Sequence, residues 1–361
     1  MKADGIVIGG GPAGMFAAIT AAEQGKKVLL LEKNHRLGKK LLITGKGRCN
    51  VCNNCDIDTL IANVPENGRF LYSAFSGFAP QDTMTFFESL GVSLKTERGN
   101  RVFPVSDKAS DIVDALVKTA KRGGAEIIQG TAKKILTENG AVSGVLLENG
   151  EALPADSVIL ATGGMSYPLT GSTGDGYKIA RALDHTVTEI KPSLVALNAH
   201  EGFCERLAGL SLKNVALSVF EEGRKKPVFS ELGEILFTHF GISGPLVLSA
   251  SAHMRYIGKK QYTAAIDLKP GLTPEQLDKR ILRDFDEEKN RDFINSLNKL
   301  LPKSIIPIVV RLSCIEPDRK VNSISREQRA ALCRGLKGIY AAYNRNAPDR
   351  RGDNHPRRYI G

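Results

Sequence analysis

GIVIGGGPAGMFAAITAAEQGKKVLLLEK, running from Gly5 to Lys33, decides the fold. It reads as a buried strand (Gly5 to Gly9), a glycine turn, a helix from about Gly11 to Gln24 and a second apolar strand, a unit that builds a parallel sheet. Gly9, Gly11 and Gly14 form G-x-G-x-x-G at the junction of strand and helix. Gly9 permits the tight turn, Gly11 leaves room for a pyrophosphate against the backbone, and Gly14 lets helix and strand approach. The helix start offers free N–H groups to the anion. Glu32 closes the second strand, where a carboxylate accepts hydrogen bonds from a ribose; an acid there favours FAD or NAD over NADP.

The chain has 361 residues, more than one hydrophobic core usually supports, so two or three folding units are expected. No apolar run reaches the roughly 18 residues of a membrane span, so no membrane partner is expected. The first residues enter the motif without a charged-then-apolar signal segment, which makes cytoplasmic residence the expectation. Six cysteines in such a chain read as reduced thiols, ligands or core residues rather than a disulfide framework. The net charge of +11 suits an anionic partner: nucleic acid, a phosphate-bearing cofactor or an acidic substrate.

After the ribose carboxylate comes a basic, glycine-rich loop, LGKKLLITGKGRCN, where a simple NAD enzyme would continue its sheet. Lys39, Lys40, Lys46 and Arg48 can reach a pyrophosphate or an isoalloxazine ring, which gains from positive charge when reduced, so FAD is favoured. Cys49, Cys52 and Cys55 follow at the two-residue gaps of iron–sulfur ligation, but Cys204, Cys314 and Cys333 are distant. Loop packing is therefore expected, with no metal, and a redox-active pair of Cys49 and Cys52 is the alternative. Lys46 and Arg48 would make a thiolate here unusually acidic.

Further on, the pattern predicts a helix from about Lys108 to Arg122, a hairpin turning at Glu148 to Gly150, and an apolar strand, SVILATGG. GSTGDGY reads as a turn and helix start with Asp175 as N-cap, and His185 suits that helix's end. Past Pro192 the chain turns β-rich, with strands at Val215 to Phe220, Glu234 to Phe237 and Gln261 to Leu268, followed by helices. The expected domains are a dinucleotide-binding domain at 1–191, a β-rich insert at 192–270, a helical subdomain at 271–323 and a return to the first domain at 324–343.

The chain resembles the bacterial FAD-dependent oxidoreductases of the BaiN type, the aminoacetone-oxidase-like flavoproteins. The likeness runs from Met1 to about Gly338 and rests on GGGPAG with Glu32 and Lys33, GKKLLITGKGRCN, GNRVFPVSDKASDIVDAL, ATGGMSYPLTGSTGDGYKIA and GEILFTHFGISGPLVL. It implies an α/β fold: a doubly wound, glutathione-reductase-like FAD domain interrupted by a β-barrel-like insert with a small helical subdomain. It further implies that Gly9, Gly11, Pro12, Ala13 and Gly14 cradle pyrophosphate and that Glu32, with Lys33 beside it, holds the ribose. Lys39, Lys40, Gly47, Arg48 and Asn50 fall on the flavin side, Thr131 on adenine, and Ala161, Thr162 and Gly163 at the end of the strand returning to the cofactor.

The function expected is hydride transfer from NAD(P)H to a small enone or ketone-like substrate. The alternatives are an amine or aminoketone oxidase using O2 and a flavoprotein acting on RNA. His239, in FTHFGISGP, is the candidate proton donor, with Ser166 and Tyr167 behind it. Nucleic acid is not the expected partner, because aromatics do not interleave with the basic runs and tryptophan is absent. Residues 344–361 carry five arginines against two aspartates. They read as an out-of-frame tail, since Asn344 to Ile360 can be back-translated, with allowed codons, so that a one-nucleotide shift yields the T-G-T-R-P-I-E-E-A-I pattern of the resembled family. Weak FAD binding and an open sheet edge would follow.

Overall fold

The computed structural model describes residues 2–199 and 202–343, which divide into two units between Ile190 and Lys191. In the first, β1 (Ala3–Ile8) pairs in parallel with β2 (Val28–Glu32), Gly5 opposite Val28 and Ile8 opposite Leu31. On its other side β1 pairs in parallel with Ala152–Leu160, Ile8 opposite Leu160. Glu126–Gln129 extends the sheet beyond β2, and the antiparallel strands Ala141–Leu147 and Ala132–Glu138 extend it at the far end.

All five residues of β2 are buried, which is why the strand reads as a continuous apolar run. The alternation of side chains divides these strands between two cores. Val7, Val28 and Leu30 meet Met15, Ala18 and Ile19 of α1 (Pro12–Glu23) and Ile112 and Leu116 of the helix Ala109–Arg122. Ile6, Ile8, Leu29 and Leu31 face Ile135, Val145, Leu147 and Ile179 instead. From Ser157 to Leu160 the last parallel strand pairs with β1 alone among the described residues, and Ile159 and Leu160 are exposed.

The second unit holds an antiparallel sheet in the order Leu197–Asn198, Gly241–Ser243, Phe229–Thr238, Ser211–Glu221, Tyr262–Asp267, Ile339–Tyr343. Its inward residues, among them Leu217, Val219, Ile235, Phe237 and Ile266, share a core with Leu277, Val309, Leu332 and Leu336 of the helices. Two of those helices open on capping boxes, Thr273 with Gln276 and Ser325 with Gln328.

One expectation is corrected here. Residues 324–343 do not return to the first domain: the helix Arg326–Lys337 packs on Pro274–Glu287 and Ile306–Ser313, and Ile339–Tyr343 pairs antiparallel with Tyr262–Asp267. The apolar face of Leu332, Leu336 and Ile339 finds its complement in the core of the second unit. The tail read as out of frame lies outside the described residues.

Candidate active site

The C-terminal ends of β1, β2 and Ala152–Leu160 lie side by side, the place where open parallel sheets bind ligands. Gly9 N donates to the Leu31 carbonyl at 2.8 Å and Ala161 N to the Ile8 carbonyl at 2.8 Å, so the glycine turn, the end of β2 and Ala161–Gly163 are fastened together. A Cβ on Gly14 would overlap the Gly9 carbonyl oxygen, and one on Gly9 would overlap that of Ala161. A Cβ on Gly11 would meet nothing within 4 Å. Two glycines thus serve packing, and the third leaves a space. That space lies at the start of α1, where Pro12 takes the first turn, no side chain caps the helix and no acid stands in its first turn. Free backbone donors and open room fit a diphosphate.

Glu32 is buried, and its carboxylate is held from both sides. Oε2 accepts from Gly10 N at 2.7 Å; Oε1 accepts from Asn34 N at 2.8 Å and Asn34 Nδ2 at 2.7 Å. Gly130 N donates to the Glu32 carbonyl at 2.9 Å, which sets Thr131 next to the same corner. Asn34 was not singled out from sequence; its signal is a short amide two residues beyond Glu32. Its Nδ2 also reaches the Thr170 carbonyl at 3.2 Å.

Lys33 turns from Glu32 to the segment before the helix Asp175–Ala182. Its Nζ donates to Asp175 Oδ2 at 2.6 Å and Thr173 Oγ1 at 2.7 Å, which holds the Asp175 carboxyl below its usual range. Asp175 is accordingly the first helical residue and not the N-cap, a position taken by Gly174. Lys40 donates to Ser166 Oγ at 3.1 Å, and burial lowers its pKa. Lys39, Lys46 and Gly47 are exposed along the same loop. Thr162 and Gly163 follow Ala161 at the strand end, and Ser172 lies against Gly163.

Arg48 is placed differently from Lys40. Its guanidinium stacks over the Phe103 ring, 4.0 Å from the centroid, and pairs with Glu97 at 2.9 and 3.3 Å and with Asp107 at 3.2 Å. A phosphate or flavin would compete with two carboxylates for it. Asn50, with its amide nitrogen turned inward, donates to the carbonyls of Cys52 at 3.0 Å and Val102 at 3.2 Å. The loop therefore supports itself through acids that sit far off in sequence.

This arrangement overturns the acidic thiolate. Cys49 is buried and Cys52 half-buried; burial raises both thiols, Cys52 to about 11 with a smaller push from Cys55, while Arg48 is spent on its own acids. At pH 7 roughly one Cys52 in ten thousand is then a thiolate. Iodoacetamide is expected to label exposed Cys314 well before Cys52, with Cys52 labelling rising only as pH climbs toward 11. Peptide mapping showing equal rates at neutral pH would contradict this environment.

His239 belongs to the second unit. Thr238 pairs with Gly241, so His239 and Phe240 form the tip of a tight turn, their rings edge to face at 5.0 Å. His239 is exposed, and the neighbouring Thr238 hydroxyl is buried with no hydrogen-bond partner among the described residues.

Comparison with known proteins accords with this construction. The family model of the HI0933-like protein Rossmann domain matches residues 3–253, and that of the HI0933-like protein barrel and H2TH domain matches 191–348. The 3-dehydro-bile acid delta(4,6)-reductase of Clostridium scindens is 32% identical over 92% of this chain and 80% of its own. The ribosomal RNA dihydrouridine synthases of Escherichia coli and Haemophilus influenzae are 29% and 27% identical, over 91% and 90% of this chain and 78% and 77% of theirs. With its glycine turn, Glu32 and antiparallel second unit all inside the matched regions, the chain belongs to the HI0933-like family and is an FAD-dependent oxidoreductase of the BaiN type.

Proposed function

We propose that the chain, with FAD bound and NAD(P)H as electron donor, reduces a carbon–carbon double bond conjugated to a carbonyl in a small organic substrate. The observation that carries this is a shared bond in the names of its relatives. A delta(4,6)-reductase of a 3-dehydro-bile acid saturates an enone, and a dihydrouridine is a uridine whose 5,6 double bond, conjugated to the 4-carbonyl, has been saturated. Both need hydride at the β carbon and a proton at the α carbon.

When bound, FAD supplies the two-electron transfer. The protein holds its diphosphate at Gly9 to Gly14 and its adenosine ribose at Glu32, with Thr131 beside the adenine, and sets Lys40 and the Ala161 to Gly163 turn along the remainder. His239 is the candidate donor of the α-carbon proton. Replacing His239 by Gln is expected to slow substrate reduction about 100-fold while leaving the bleaching of the flavin by its donor unchanged. Anaerobic rapid mixing separates the two half-reactions; unaltered substrate reduction would remove the histidine from the chemistry.

Anaerobic titration with NADH and NADPH, followed by a 3-oxo-Δ4 steroid or by a uridine-containing RNA, tests the reading as a whole. Flavin reduced by neither donor but by an aminoketone, and reoxidised by O2, would replace it with the oxidase alternative. A second reading has specific support: two relatives named for ribosomal RNA favour uracil within RNA as the conjugated substrate.

A further inference from the structure

We propose that the turns at Glu221–Val228 and Arg255–Gln261, at one end of the second unit's sheet, form a docking surface for single-stranded RNA. The strands Ser211–Glu221 and Tyr262–Asp267 end opposite each other, Glu221 facing Tyr262, and their turns are laced together. Glu222 N donates to the Gln261 carbonyl at 2.9 Å, and Gln261 N donates to Glu222 Oε2 at 3.3 Å. Beneath them Glu221, only 3% exposed, takes Lys260 Nζ at 2.6 Å, Arg224 Nε at 3.2 Å and the Tyr262 hydroxyl at 3.2 Å. Tyr262 Oη in turn accepts from Tyr256 N at 3.0 Å. One buried acid, held ionised chiefly by Lys260, therefore fixes the two turns against each other.

What this frame presents is cationic. Arg224, Lys225, Lys226, Arg255 and Lys259 are exposed on it, and Lys225, Lys226 and Lys259 make no ion pair among the described residues. Like charges gathered this way repel one another in the free protein and attract a polyanion, releasing its counterions. Among them Tyr256 is 42% exposed, with Lys260 Nζ 5.0 Å from its ring centroid. A flat ring among cations suits a strand whose bases are unstacked, since bases stack on aromatics while phosphates meet lysines. A lipid surface would call for an apolar face beside the charge, and Tyr256 is the large exposed apolar group of these turns. The expectation that aromatics do not interleave with the basic runs fails here, because folding sets Tyr256 among cations from both turns. The choice of RNA over other polyanions rests on the uracil reading above.

Fluorescence anisotropy with a labelled, uridine-rich RNA of about 20 nucleotides, between about 50 and 200 mM salt and with no electron donor, tests this on the FAD-loaded full chain. The triple variant Lys225→Gln, Lys226→Gln, Lys259→Gln is expected to weaken binding about tenfold and to lower the salt slope by about 2. Tyr256→Ala should cost about tenfold without changing that slope. A control of equal charge on another surface, Lys118→Gln, Lys121→Gln, Arg122→Gln, should change neither. Equal loss in both triples, no binding by the parent, or patch-dependent binding to phosphatidylglycerol vesicles in place of RNA would each overturn the proposal. Reduction of a free enone by the patch triple, unchanged from the parent, keeps this outcome separate from failure of the redox reading.

Discussion

Valine at Gly11 is expected to leave the chain folded but without FAD, whereas alanine at Gly14 is expected to abolish soluble protein. At Gly14 the added carbon would overlap the Gly9 carbonyl, between a strand and a helix that cannot separate without losing the contacts of Met15, Ala18 and Ile19. A backbone clash in such a core costs more than about 4 kcal/mol, a large part of a domain's total stability. At Gly11 the backbone is extended and an added Cβ meets nothing within 4 Å, so the cofactor-free melting temperature should move by no more than a few degrees, roughly 1 kcal/mol or less. The space they fill is the one assigned to diphosphate. Losing two charge-assisted hydrogen bonds there corresponds to about 3 kcal/mol, or more than 100-fold in affinity. Melting with and without FAD reads both effects: at about 100 times its Kd, FAD should stabilise the parent by about 2.7 kcal/mol and the Gly11→Val chain hardly at all. A valine variant that still gained the full stabilisation would show that diphosphate lies elsewhere.

This contrast also shows why part of the site was legible in sequence. G-x-G-x-x-G followed by an acid at the end of the next strand is a local pattern, since three short-range constraints and one strand length set its geometry, and β2 ends at Glu32 as read. The helix Pro12–Glu23 was equally plain from its place between the glycine turn and β2, and Ala109–Arg122 from its apolar periodicity. What was missed is long-range. Arg48 reads as a free cation beside glycines, yet its partners Glu97 and Asp107 lie about 50 and 60 residues on, brought to it by the small sheet of Cys52–Asn53, Arg101–Pro104 and Leu94–Glu97. The thiols were misread for the same reason, because neighbouring lysines in sequence say nothing of burial. Residues 324–343 were assigned to the first domain, and the packing of Arg326–Lys337 on its neighbouring helices together with the pairing of Ile339 with Ile266 places them in the second.

Replacing Glu32 by alanine is the sharper test of which cofactor the turn serves. The carboxylate does two things: it satisfies Gly10 N and both nitrogens of Asn34, and it presents acceptor lone pairs at the strand end. Removing it strands buried donors, worth about 1–3 kcal/mol of stability for the buried amide alone, and takes away hydrogen bonds to a ribose diol worth about 3 kcal/mol together. The FAD dissociation constant should therefore rise about 100-fold, as measured by recovery of flavin fluorescence. FMN supplies the built-in control, because it carries the isoalloxazine and one phosphate but no adenosine. Its weaker binding should be the same in Glu32→Ala as in the parent if the acid acts on the ribose. Parallel losses for FAD and FMN would instead make Glu32 a structural corner, and adenosine recognition would pass to Thr131 and its neighbours. The ratio of the two losses separates these cases even where the variant melts several degrees lower, since both ligands are measured on the same folded fraction.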